Sequence, residues 1–78
     1  MSKNHSKIAR EILSKELRIS KSKIKTSTSI LNNPRWDSLA HINIIISIEK
    51  KVKKKLSLEE ISKIENFKDI IGILKKFY

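Results

Sequence analysis

The chain has 78 residues with 18 Lys and Arg against 8 Asp and Glu, a formal charge of +10, one Gly, one Pro and no Cys. That length makes one domain, 1–78, near the lower limit for a self-sufficient core, and scarce Gly and Pro beside abundant Ile, Leu, Lys and Glu favour an all-α fold. The absence of cysteine excludes disulfides, a thiolate nucleophile and thiolate metal sites.

The first helix is expected from Asn4 to Leu17. Ile8, Ala9, Ile12, Leu13 and Leu17 recur at helical spacing and make one face; Lys7, Arg10, Glu11, Ser14 and Lys15 fall on the other. Glu11 and Lys15 have the i,i+4 spacing of a stabilising pair. A long connection follows, from Arg18 to Trp36. Ile19 and Ile24 read as anchors, with one helical turn between them, and Lys25-Thr26-Ser27-Thr28-Ser29 reads as extended. Ile30 and Leu31 are expected to dip back to the core. A loop this long in a small domain is usually functional.

Asn32, Asn33 and Pro34 are breakers, and Asp37 is a good N-cap for what comes next. The second helix is expected from Ser38 to Lys55. His41, Ile44, Ile45, Ile48, Val52 and Leu56 form its core-facing stripe. Ser38, Ile42, Ile46, Glu49 and Lys53 form a second stripe. Ile42 and Ile46 either present an apolar docking patch to a partner or widen the core face. Lys50, Lys51, Lys53, Lys54 and Lys55 suit a helix C-terminus but outnumber what capping needs. Ser57 with Glu60 has the capping-box pattern and opens a short third helix with Leu58, Ile61 and Ile64 as its apolar face. Asn66, followed three residues on by Asp69, caps a last helix in which Phe67, Ile70, Ile71, Leu74 and Phe77 face inward, and Gly72 is a weak point.

Asp37-Ser38-Leu39 at the head of the apolar second helix resembles the Asp-Ser-Leu motif of acyl carrier proteins. The pattern of the whole chain is similar to that family: a first helix, a long loop, the motif, a long second helix, a short third and a last one. The resemblance implies an acyl-carrier-type four-helix bundle in which Ser38 bears 4′-phosphopantetheine, attached from coenzyme A by a phosphopantetheinyl transferase. Its thiol would replace the cysteine this chain lacks. Asp37 would position the serine and Leu39 would contact the transferase. Ile42, Ile46 and Glu49 match positions of partner contact, and Lys50 and Lys53 lie on the same side. Implied partners are acyl or aminoacyl ligases, synthases and transferases of a specialised lipid or secondary biosynthetic pathway. Two departures stand out. Pro34-Arg35 replaces the Leu-Gly pair ahead of the motif, and the second helix, acidic in the family, is basic here except at Glu49.

Catalysis by the chain's own residues is not expected. His5 falls in a terminus expected to fray, His41 lies alone on an apolar helix, and no metal-ligand spacing or Gly-rich phosphate loop occurs. The positive charge admits a polyanion partner or a compositional bias towards Lys, Ile, Asn and Ser; it is split +6 and +4 between residues 1–37 and 38–78. A small basic nucleic-acid module is the rival reading, but it leaves Asp-Ser-Leu unexplained and lacks stacking aromatics, so no nucleic acid is expected. Leu39–Ile48, the longest uncharged apolar run, is too short to span a membrane. Met1-Ser2-Lys3-Asn4-His5 has no signal-peptide core, so the expectation is a cytoplasmic monomer.

Overall fold

A computed structural model describes residues 4–78; Met1, Ser2 and Lys3 of the stretch read for a leader lie outside the described residues. Among the described residues four α-helices form in the expected order: α1 (His5–Leu17), α2 (Ser38–Val52), α3 (Leu58–Ser62) and α4 (Phe67–Phe77). A 3-10 turn, Lys21–Lys23, interrupts the long loop where one helical turn is expected. Each α-helix starts from a side chain that accepts the backbone N–H three residues on. The pairs are Asn4 with Lys7 (2.9 Å), Asp37 with Ala40 (2.8 Å), Ser57 with Glu60 (3.1 Å) and Asn66 with Asp69 (2.8 Å). Such caps satisfy donors that no helical carbonyl reaches. At Ser57 the box is complete, since its own N–H donates to Glu60 Oε1 (2.9 Å).

α1 packs against both α2 and α4, and one apolar cluster fills the space between them. Leu13, Leu17, Ile24, Ile44, Ile48, Ile64, Phe67, Ile70 and Leu74 are essentially inaccessible. The radius of gyration, 11.4 Å, matches the ~11.5 Å of a compact chain of this length. The expected stripes account for most of this core, and Ile73 joins it from α4. His5 is the first residue of α1 and does not stand in a loose end: its ring meets Tyr78 edge-on at 6.4 Å.

The structure departs from the expected pattern in several places. α2 ends at Val52, not Lys55, because Lys53 turns into the left-handed region (φ 58°) and caps it. Leu31 is 91% exposed: it stands in the Ser29–Asn32 turn, closed by Asn32 N–H to Ser29 O (3.3 Å) and Ser29 N–H to Asn32 Oδ1 (2.9 Å). Leu58 is 86% exposed, whereas Ile61 is half-buried and Ile64 inaccessible, so α3 enters the core at its C-terminal end only. Glu11 and Lys15 form no ion pair among the described residues; solvation of exposed charges leaves little to gain from one.

Lys25 to Ser29 is not extended throughout. Lys25 to Thr28 is a turn, with Thr28 N–H on Lys25 O at 2.9 Å. Beyond it the loop pairs with the α3–α4 connection: Phe67 N–H donates to Thr28 O (3.0 Å) and Ile30 N–H to Glu65 O (2.8 Å). Two residues assigned to the solvent face of α1 also hold this loop. Arg10 donates to the carbonyls of Lys21 and Ile24 and lies over the Phe67 ring at 5.1 Å. Ser14 Oγ donates to Ile19 O (2.6 Å).

Candidate functional site

The head of α2 is delivered by a tight turn. Asn33, Pro34, Arg35 and Trp36 form it, with Trp36 N–H on Asn33 O (3.0 Å) and Arg35 N–H on Asn33 Oδ1 (3.0 Å). Proline suits the second position of such a turn. The turn drives Trp36 into the core, where it keeps 2% of its surface exposed. Its indole Nε1–H donates to His41 Nδ1 (2.9 Å), one turn into α2. Burial holds the His41 pKa below the ordinary value of about 6.5. Trp36 and His41 thus clamp the polypeptide on both sides of Asp37-Ser38-Leu39.

Within the clamp, Asp37 is extended (φ −92°, ψ −174°) and spends Oδ1 on the cap. Ser38 is the first residue of α2 and exposed, and its hydroxyl makes no hydrogen bond among the described residues. Neither neighbour is arranged as its base: among the described residues neither the Asp37 carboxylate nor the His41 ring bonds the Ser38 hydroxyl, and His41 Nδ1 is taken by Trp36. Leu39 is 68% exposed, and Ile42 and Ile46 follow at 54% and 42%. The second stripe therefore stays on the surface rather than widening the core.

Glu49 behaves differently from its stripe. Its side chain is 14% exposed and turned to the chain, with Oε2 accepting Leu56 N–H (2.9 Å) and Oε1 3.7 Å from Lys55 Nζ. It holds the α2–α3 connection. Lys50 and Lys53 are exposed and share a surface depression of about 380 Å³ with Ile46.

Arg18 and Arg35 are the residues that sequence reasoning missed. Arg18 caps the end of α1 in the left-handed conformation, and Arg35 precedes the motif. Both line a depression of about 310 Å³ together with Asp37, Leu39 and Asn43. The depression takes in both neighbours of Ser38 but not Ser38 itself, and Glu16 and Asp37 set two carboxylates beside the two arginines. Only Arg35 had a sequence signal, its proximity to Ser38.

No protein-family model matches the chain, and none of the curated proteins compared with it is a match.

Proposed function

We propose that this chain is an acyl carrier, with the bundle acting as a carrier domain and Ser38 as the attachment point of 4′-phosphopantetheine. The observation that carries this reading is the free, exposed Ser38 hydroxyl at the first position of α2, beside a bare apolar stripe. The residues present fit the group at the point of attachment: the Ser38 hydroxyl is exposed and makes no hydrogen bond among the described residues. When bound, the group would supply a thiol that holds an acyl chain as a thioester for partner enzymes.

Ser38 Oγ would attack the β-phosphorus of coenzyme A on a separate phosphopantetheinyl transferase. An O–P bond forms to Ser38, the bond to 3′,5′-ADP breaks, and the hydroxyl proton passes to a base of the transferase. Because neither Asp37 nor His41 bonds the Ser38 hydroxyl, the chain would present its nucleophile and leave activation to the transferase. Leu39 and Ile42 would meet that enzyme, and Ile46 with Lys50 and Lys53 would extend the contact to ligases, synthases or acyltransferases. Glu49 fits a supporting role in this contact. The same site serves an acyl or an aminoacyl group.

Intact mass after incubation with coenzyme A, Mg²⁺ and a broad-specificity transferase tests the reading, with Ser38→Ala alongside. One phosphopantetheine on the parent and none on the variant is expected. No addition to the parent, from this transferase or in its native host, removes the carrier reading. The rival, a nucleic-acid module, rests on the net charge; it requires DNA affinity that falls steeply with salt.

A further inference from the structure

The carrier reading uses Lys50 and Lys53 in a partner contact but leaves Lys51, Lys54, Lys55 and Lys76, at the same end of the bundle, without a role. Lys50, Lys51, Lys53, Lys54, Lys55 and Lys76 are all exposed there. Sequence separates Lys76 from the rest, and the fold unites them. Lys54 Nζ lies 4.1 Å and Lys76 Nζ 5.1 Å from the centre of the same Phe77 ring, and Lys51 Nζ lies 5.9 Å from that of Tyr78. Among the described residues, only Lys55 and Lys76 of this group pair with side-chain carboxylates, those of Glu49 and Glu60. Ile46 stands in the same depression as Lys50, Lys53, Lys54 and Lys55, with Glu49 the one acid of the lining, so an exposed apolar side chain lies among lysines.

We infer that this lysine-rich end of α2 and α4 is a peripheral docking surface for an anionic lipid bilayer. The composition selects the partner. Every cation of the surface is lysine, a hydrated point charge on a flexible stem, suited to a diffuse field of headgroups. Arginine, whose planar fork reads phosphates one by one, is absent from it; Arg18 and Arg35 are at the other end of α2. Sequence-specific reading of a duplex would also call for Asn, Gln or Arg side chains at base edges, and the surface has none of these. Ile46, with the half-buried aromatics Phe77 and Tyr78, adds the apolar element that converts attraction into interfacial binding. The helix between Ser38 and Val52 is about 21 Å long, which sets the serine that far along α2 from the lysine end.

The test needs neither arm nor enzyme, so it fails or succeeds apart from the carrier reading. The chain is sedimented with phosphatidylcholine vesicles, with and without phosphatidylglycerol, at about 0.15 M salt, where long-range fields are screened beyond roughly 8 Å. Binding to the anionic vesicles only is expected. The variant K50Q/K51Q/K53Q/K54Q should lose on the order of a hundredfold in partitioning. A control with equal net charge, K21Q/K23Q/K25Q/K68Q, should lose less than a tenth as much. Ile46→Ser should weaken binding several-fold with the charge intact. Circular dichroism confirms that each variant is helical. No binding to anionic vesicles, equal losses in the two quadruple variants, or displacement from vesicles by duplex DNA at equal phosphate each overturns the inference.

Discussion

Two polar residues carry more of the structure than their positions in the sequence announce. Arg10 lies on the face of α1 assigned to solvent, yet its guanidinium bonds two loop carbonyls and covers Phe67. Arg10→Ala is expected to cost about 1–2 kcal/mol in urea unfolding, from charged hydrogen bonds and lost packing. Lys should not rescue it, because an ammonium cannot reproduce the fork. His41 is the second. Its Nδ1 must stay unprotonated to accept from Trp36, and burial already lowers its pKa. The unfolded chain then binds the proton more readily, so this contribution is complete above about pH 6.5 and is lost as pH falls below it. Urea midpoints followed by Trp36 fluorescence should drop between about pH 7.5 and pH 5.5. In His41→Gln, which keeps an acceptor that does not titrate, the drop should shrink.

At the scale of elements, the helices begin well and end at a cost. Four side-chain caps open them, but α1 and α2 close at Arg18 and Lys53, both with φ 58°. The left-handed region favours glycine, and the one Gly of the chain, Gly72, is spent inside α4. Lys53→Gly is expected to stabilise by about 1 kcal/mol, from relief of the Cβ clash. Nothing lies within 4 Å of a methyl group built on Gly72, so Gly72→Ala should add about 0.5–1 kcal/mol. Thermal unfolding of the two variants and their combination checks these, and the gains should add, as the changes lie on different helices. The caps at Asp37, Ser57 and Asn66 were legible from residue type at the head of an apolar run, whereas Asn4 was read as the first residue of α1 and is its cap. The end of α2 was not legible, since nothing in a run of lysines marks which one leaves the helix.

The whole molecule decides which apolar residues count. Phe67 and Leu31 are similar in hydropathy, but Phe67 is inaccessible and Leu31 bare. Phe67→Ala is expected to cost about 3–5 kcal/mol, leaving a domain this small largely unfolded, while Leu31→Ser and Leu58→Ser should stay within about 0.5 kcal/mol of the parent by urea titration. The same contrast separates core from surface along α2. Ile44, Ile45 and Ile48 are buried and Ile42 and Ile46 are not, although all five look alike as letters. Periodicity separates the two stripes because α2 is regular, but it left open whether Ile42 and Ile46 widen the core, and the packing leaves them exposed. It fails at Leu31 and Leu58 because a turn and a helix of five residues have too few repeats to define a face.

What the sequence determined by itself is local: four helices in order, the caps of the last three, the stripes of α1, α2 and α4, and an exposed serine behind an aspartate. These rest on bonds and spacings within a few residues, which adjacency dictates. No helix among the described residues is long and apolar enough to cross a membrane, again a property of short stretches. Only the tertiary structure brought Ser47 Oγ to Glu16 (2.8 Å), Thr28 to the start of α4, Arg18 beside the motif, and Lys76 to the lysines of α2. Those contacts bridge tens of residues. They exist because burying one apolar cluster sets where each helix end stands, and a polar side chain takes whatever partner that packing brings within reach.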